Sequence, residues 1–86
     1  MSAKSVALKG AVVAVTGGAR GIGLAITEAL VRQGARVSIG DVDIALAEKE
    51  AKRLGAHAHV LDVRDRKSFA AFLESTEAAF GRWIFW

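Results

Sequence analysis

Three short runs of strand-forming residues alternate with three stretches of helical periodicity along the chain. The first run, at 11–15, reads AVVAV, and a continuous valine-rich run is typical of a strand buried on both faces of a parallel sheet. Two further runs of strand-forming residues cover 36–41 and 57–61. We therefore predict three strands over these ranges, with the first strand in a central position.

Each run is followed by a stretch with the spacing of an amphipathic helix. Between 21 and 33 apolar residues recur at helical spacing, and Gly34 follows where a left-handed cap is favourable. Asp43 and Asp65 stand where they can cap a second and a third helix. The residues expected to face the core are Ile22, Ala25, Ile26, Ala29 and Leu30 in the first helix, and Phe69, Phe72, Leu73, Thr76 and Phe80 in the third.

Short links between strand, helix and strand imply parallel pairing through right-handed crossovers. The predicted fold class is α/β: a βαβαβα unit with strand order 3-2-1, one half of a Rossmann-type doubly wound parallel sheet, with an incomplete three-layer structure. No linker or change of composition interrupts residues 1–86, so we expect a single domain. Residues 83–86 have the composition of a fourth strand.

Composition and charge narrow the classes of function. The 86 residues are 52% hydrophobic and 24% charged, as in a globular domain. The chain has no Cys, which excludes disulfides, thiolate metal sites and a cysteine nucleophile. The basic residues are dispersed, so the net charge of +3 indicates a solvated surface and no specific nucleic-acid binding. Without a signal peptide or an apolar run that could span a membrane, a cytoplasmic protein is expected.

The loop after the first strand carries the candidate chemistry. It reads TGGARGIG from Thr16 to Gly23 and joins a buried strand to an amphipathic helix, the context in which a glycine-rich loop binds a dinucleotide. Gly17 allows the tight turn, Gly21 lets a pyrophosphate approach the backbone, and Gly23 lets the helix pack closely. The alternative is an ordinary strand-to-helix turn in which glycine serves geometry alone.

Two charged residues add to the nucleotide hypothesis. Asp41 ends the second predicted strand, where a carboxylate accepts hydrogen bonds from both ribose hydroxyls of NAD and repels the 2′-phosphate of NADP. NAD is therefore the predicted cofactor. The alternative for Asp41 is a residue that only caps or solvates a strand end. Arg20, inside the glycine loop, either neutralises a phosphate or is a solvated cation.

These motifs resemble the short-chain dehydrogenase/reductase family, whose pattern of Thr-Gly, three residues and Gly-x-Gly matches Thr16, Gly17, Gly21 and Gly23. The resemblance covers 9–82 and implies an NAD(P)-dependent oxidoreductase. It also implies that Asp62, at the end of the third strand, accepts a hydrogen bond from the adenine amino group, while the N–H of Val63 meets the adenine ring. The alternative for Asp62 is a solvated turn residue. The expected cofactor-binding residues are Gly17, Arg20, Gly21, Ile22, Gly23, Asp41, Asp62 and Val63.

The departures from the family concern catalysis. The family has an Asn-Asn-Ala-Gly turn after its fourth strand and, later, a catalytic Ser with Tyr-x-x-x-Lys, whereas these 86 residues contain no Tyr at all. The resemblance thus implies a cofactor-binding N-terminal part, truncated before the catalytic half, without catalytic residues and inactive alone. The alternatives are a non-catalytic interaction module and a truncated product with no role of its own.

The aromatic end and two histidines complete the sequence features. Residues 83–86 read WIFW, and this patch together with a free edge of the first strand predicts self-association. His57 and His59 alternate with apolar residues and point to one face of the third strand. An edge strand made polar to discourage pairing explains both histidines. A shared metal is the alternative, but it lacks a third ligand, so no metal site is predicted.

Overall fold

The computed structural model describes residues 9–81 and the backbone of 84–85. The elements are β1 (Val12–Thr16), α1 (Gly21–Arg32), β2 (Arg36–Asp41), α2 (Ile44–Leu54), β3 (His57–Val60), α3 (Arg66–Phe80) and β4 (Ile84–Phe85). All described strand pairs are parallel, and the order in the sheet is β3-β2-β1-β4. The predicted α/β fold with strand order 3-2-1 is confirmed, and β4 adds a short strand beside β1.

The sheet separates two apolar layers, because successive side chains of a strand point to opposite faces. On one face Val13 and Val15 of β1 pack in a cluster with residues of α1 and α2. On the other face Ala14 packs with Phe72 of α3. Both faces of β1 are therefore covered, which explains why its sequence is apolar without alternation.

Gly40 in β2 allows α3 to lie close to the sheet. A Cβ at this position would come within 2.7 Å of Leu61 Cδ2 and 2.8 Å of Phe72 Cζ. Phe72 is fully buried. The absence of a side chain at Gly40 thus makes room for the largest buried residue of the core, one residue before the end of β2.

The starts of the three helices differ. α2 and α3 begin at the predicted caps: Asp43 accepts from the Leu46 N–H at 3.1 Å, and Asp65 accepts from the Lys67 N–H at 2.9 Å. α1 begins after Arg20, whose side chain makes no capping hydrogen bond. The first-turn N–H groups of α1 are therefore not covered by a capping side chain.

The buried face of α1 matches the apolar spacing only in part: Ile26 and Leu30 are partly buried. Ile22 is 82% exposed, and Ala25 and Ala29 are exposed as well. Thr27 is fully buried instead. The reason is that Gly23 and Thr27 are the positions at which the helix can lie against the glycine loop, and their contacts leave Ile22, Ala25 and Ala29 on the outward side.

The other predicted core positions are buried fully or in part. Phe72 and Thr76 of α3 are buried, and the Thr76 hydroxyl donates to Ser38 Oγ of β2 at 2.7 Å. The position after β3, Leu61, is also buried, although the strand ends at Val60, one residue earlier than predicted. The partly buried positions are Ile26, Leu30, Phe69, Leu73 and Phe80.

The edge of β1 opposite β2 is not free, contrary to the prediction. The backbone of β4 pairs with β1 in parallel, with Val13 opposite Ile84 and Ala14 opposite Phe85. An unpaired β1 edge is therefore the wrong reason to expect self-association along this stretch. The rest of the aromatic end, Trp83 and Trp86, lies outside the described residues.

β3 forms the other edge of the sheet, as the two histidines suggest. The His57 ring packs edge-on against Phe80 with centroids 6.0 Å apart, and its Nε2 lies 2.7 Å from Ser75 Oγ. Burial lowers the pKa of His57, and the charge of the neighbouring His59 lowers it further. Within 9–81 no three His, Cys, Asp or Glu side chains are grouped as metal ligands, and no helix there could cross a bilayer.

Candidate functional site

The glycine loop exposes its backbone at two positions. Gly17 has φ +66° and Gly21 has φ +56°, the left-handed region that side-chain-bearing residues rarely adopt. A Cβ on either glycine would have no atom within 4 Å. Both positions therefore border open space, from which a ligand group can approach the backbone directly.

Gly23 fixes how closely α1 lies against this loop. A Cβ on Gly23 would overlap the carbonyl group of Gly17. The sequence predicts that this glycine allows close helix packing, and the structure shows that its nearest neighbour is the loop backbone. Any larger residue would push the start of α1 away from the loop.

Thr27 anchors the loop from the buried side. Its hydroxyl lies 2.9 Å from the Gly23 carbonyl oxygen and 3.4 Å from that of Gly18. Thr27 itself is fully buried. Thr27 is not among the site residues that the sequence predicts. The signal for it is a hydroxyl four positions after a glycine inside a helix, where it can donate to the carbonyl one turn earlier.

Asp41 joins the end of β2 to the loop. It is only 7% exposed, its Oδ2 accepts from the Ala19 N–H at 3.2 Å, and its Oδ1 accepts from the Asp43 N–H at 3.1 Å. An ionised carboxylate has about four acceptor positions, so Asp41 retains capacity for hydroxyl donors. It is more than a capping or solvated residue, because it holds two separate segments of backbone.

Arg20 is not a freely solvated cation. Its guanidinium Nη2 donates to Asp43 Oδ2 at 2.9 Å, and the side chains are 62% and 43% exposed. The pair links the start of α1 to the start of α2, beside Asp41. This contact joins residues 23 positions apart, and nothing in the sequence pattern points to it.

Asp62 follows β3 and is paired with Arg64. The Arg64 Nε and Nη2 lie 3.2 and 3.3 Å from its two carboxylate oxygens, and the Arg64 N–H donates to Oδ1 at 3.0 Å. The Asp62 N–H donates to Ser68 Oγ at 2.9 Å. The hydrogen bond from the Arg64 guanidinium holds the pKa of Asp62 below its usual value. The Asp62 carboxylate is thus an ionised acceptor at neutral pH.

A pocket of about 280 Å³ opens at the carboxyl ends of β1, β2 and β3. Of the predicted residues, it is lined by Gly17, Asp41, Asp62 and Val63. Val42 lines it too, and Val42 and Val63 are 65% and 61% exposed. In open α/β sheets ligands bind at this end of the strands. The other predicted residues, Arg20, Gly21, Ile22 and Gly23, lie outside this lining, on the loop and the first turn of α1.

The site combines three kinds of contact. Uncapped N–H groups at the start of a helix suit an anion. The Asp41 carboxylate suits hydroxyl donors, and two exposed valines suit a flat apolar group. A ligand that carries all three features in one molecule would use the whole site.

Comparisons with known proteins agree with this geometry. The family model described as short chain dehydrogenase matches residues 11–83. The chain is 40% identical over 79 residues to 2-(S)-hydroxypropyl-CoM dehydrogenase 3 of Xanthobacter autotrophicus, and these residues cover 86% of this chain. It is also 40% identical over 78 residues to the NADP-dependent (R)-specific alcohol dehydrogenase of Lentilactobacillus kefiri, again over 86% of this chain.

A solved structure shows the same fold. The 3-ketoacyl-(acyl-carrier-protein) reductase from Brucella melitensis, complexed with NADH, superposes with a TM-score of 0.86 and 32% identity over 88% of this chain. The matched part is 31% of each of the two enzymes above and 32% of the reductase chain, so this chain spans about a third of the length of such relatives. From the family match and the shared fold it follows that this chain belongs to the short chain dehydrogenase family.

Proposed function

We propose that this chain binds NAD at the carboxyl ends of β1, β2 and β3, as the cofactor-binding part of an oxidoreductase. The observation that carries the proposal is the start of α1: it has no capping side chain, it lies directly against the glycine loop, and a pocket continues from the loop to β3. The reductase with the matching fold is complexed with NADH.

The pyrophosphate is assigned to the glycine loop. Gly17 and Gly21 border open space, so two phosphate groups can approach the backbone without meeting a side chain. The helix start supplies N–H donors and the positive end of the helix dipole. Arg20 and Ile22 flank Gly21 in sequence and are assigned to the same end of the cofactor.

The adenosine is assigned to the pocket. Asp41 retains acceptor capacity for the two ribose hydroxyls, and Asp62 is an ionised acceptor for the adenine amino group, next to the N–H of Val63. The exposed side chains of Val42 and Val63 give the ring an apolar surface. A 2′-phosphate would meet the Asp41 carboxylate, which supports NAD over NADP.

The proposed chemistry is hydride transfer, which the nicotinamide supplies when NAD is bound. The residues of this chain bind and orient the cofactor. The 86 residues contain no Tyr, the residue that the family resemblance implies as catalytic, so we expect a polypeptide of this sequence to bind NAD without turning over an alcohol. No contact in the described part of the chain identifies a substrate.

Amide NMR spectra of the labelled 86-residue chain test the proposal. We expect NAD to shift the N–H signals of 17–23, 41–43 and 62–64. The Gly21→Val variant should lose these shifts, because Val is strained at positive φ and fills the open space. Gly55→Val is the matched control: it has φ +72° but lies at the opposite end of the sheet. Shifts that are absent, or that cluster elsewhere, would overturn the assignment.

Two further expectations belong to this proposal. Self-association is supported by the exposed apolar residues of α1, Ile22, Ala25 and Ala29. Light scattering at high micromolar concentration should show a species larger than a monomer, and Ala25→Gln, at a residue not assigned to the cofactor, should reduce its size. A cytoplasmic location stays a prediction, which fractionation of the source cells would test.

A further inference from the structure

The ion pair between Arg20 and Asp43 joins the starts of two helices next to Asp41. Arg20 is the N-cap residue of α1 and Asp43 the N-cap residue of α2. Their contact is 2.9 Å long, and both side chains are partly exposed. An exposed ion pair of this kind adds little to the stability of the fold. Its effect on the site is that it fixes the position of the Arg20 guanidinium.

This ion pair closes a ring of contacts, the loop–strand clasp, made of Ala19, Arg20, Asp41 and Asp43. The Ala19 N–H and the Asp43 N–H both donate to the Asp41 carboxylate, at 3.2 and 3.1 Å. Arg20 donates to the Asp43 side chain. The clasp therefore holds two carboxylates and one guanidinium together, and its side chains carry a net negative charge.

Asp43 uses its two oxygens for different purposes. Oδ1 caps α2 by accepting from the Leu46 N–H at 3.1 Å, and Oδ2 holds Arg20 at 2.9 Å. An asparagine caps a helix about as well as an aspartate does, but it carries no charge. The Asp43→Asn variant can thus keep the cap while it releases the guanidinium.

Resting on the proposed NAD site, we propose that Asp43 is a second determinant of cofactor preference, because it pairs with Arg20 and keeps it from a 2′-phosphate. A guanidinium binds phosphate strongly when it is free to do so. With Asp43 present, Arg20 is already paired with a carboxylate, and the net negative charge of the clasp repels the 2′-phosphate. Without the Asp43 charge, Arg20 is released, and the remaining charges of Arg20 and Asp41 cancel.

The test is the ratio of NADP to NAD affinity, measured by calorimetric titration of the 86-residue chain at one fixed salt concentration. We expect Asp43→Asn to raise this ratio by about threefold or more, and Arg20→Gln to lower it by a similar factor. Asp65→Asn removes the same charge from the cap of α3, and Arg36→Gln removes a guanidinium from the opposite end of β2. Neither control should change the ratio.

The outcomes separate this inference from the proposed function. Wild-type chain that binds neither cofactor overturns both. Wild-type chain that binds NAD, with a ratio that is the same in Asp43→Asn and Asp65→Asn, overturns the role of Asp43 alone. If Asp43→Asn does not fold, an Arg20→Gln ratio equal to that of wild type overturns the inference by itself. This variant removes the same ion pair, and the Arg20 side chain makes no capping hydrogen bond that could be lost.

Discussion

The buried carboxylate of Asp41 accepts a hydrogen bond from the backbone N–H of Ala19, 3.2 Å away and 22 positions earlier in the chain. One side chain thus ties the glycine loop to the end of β2. In the proposed site the same side chain accepts from the ribose of NAD. On this proposal Asp41 would act on the cofactor in two ways, directly and through the shape of the loop.

Replacing Asp41 with Ala should weaken NAD binding by about tenfold or more, since hydrogen bonds to a charged group are each worth about 1.5 to 3 kcal/mol. The preference over NADP should narrow or invert, because the repulsion of the 2′-phosphate disappears. Asp41→Asn keeps one acceptor oxygen, so its NAD affinity should lie between that of wild type and that of Asp41→Ala. Equilibrium dialysis with both cofactors measures these changes. An Asp41→Ala variant that binds NAD as tightly as wild type would rule out this carboxylate as the ribose acceptor.

Adding one methyl group at Gly23 should disable the loop. The new Cβ would overlap the Gly17 carbonyl group, so α1 and the loop must separate. We expect Gly23→Ala to weaken NAD binding by about tenfold or more and to lower the melting temperature. Gly55→Ala destabilises for a different reason, because it places a Cβ on a glycine with φ +72°, and it lies far from the site. Its melting temperature should fall while its NAD affinity stays at the wild-type value.

The Thr27 hydroxyl offers a test of the loop anchor. Thr27→Val keeps the shape of the side chain but removes the hydroxyl that lies 2.9 Å from the Gly23 carbonyl oxygen and 3.4 Å from that of Gly18 in the loop. The expected cost is about 1 to 3 kcal/mol in the free energy of unfolding. NAD binding should weaken with it. Thr76→Val is the matched control, because Thr76 is equally buried and its hydroxyl lies within hydrogen-bond distance of the Phe72 carbonyl oxygen and Ser38 Oγ. If both variants lose stability and both retain full NAD affinity, Thr27 does not hold the site.

Acid should destabilise the packing of α3 against β3 through His57. Burial lowers the pKa of His57 below its ordinary value of 6.5, so the unfolded chain binds the proton more readily than the folded chain. The contribution of the uncharged His57 ring to the free energy of unfolding is complete above pH 6.5. It is lost as the pH falls through 6.5 toward the lowered pKa. Melting temperatures measured across this range should fall more steeply for wild type than for His57→Gln. Parallel slopes would contradict the assignment.

The fold was predictable because β1 carries an uninterrupted apolar run that is buried on both faces. The apolar run of β1 and the caps at Asp43 and Asp65 locate the elements, and right-handed crossovers leave one strand order. The face of α1 was only partly predictable from apolar spacing. Ile22 looks like a core residue, yet Gly23 and Thr27 decide which side of the helix approaches the loop, through a missing Cβ and a hydroxyl rather than through hydrophobicity.

The site was predictable where backbone geometry alone brings residues together. Gly17, Asp41 and Asp62 each end or follow a parallel strand, so they meet at the carboxyl ends of the strands. The contacts among charged side chains were not predictable. Arg20 pairs with Asp43 and Arg64 with Asp62, and the spacing of long, flexible arginine side chains along the sequence does not identify the carboxylates that they reach.

Calorimetric titration of the unmodified 86-residue chain with NAD, and separately with NADP, tests the central claim most directly. We expect saturable binding of NAD at one site per chain and weaker binding of NADP, because the glycine loop and the start of α1 accept the pyrophosphate of both cofactors while Asp41 accepts only the unmodified ribose. The absence of saturable binding would contradict the dinucleotide site itself. Equal affinities for the two cofactors would leave the loop assignment standing and contradict the role of Asp41.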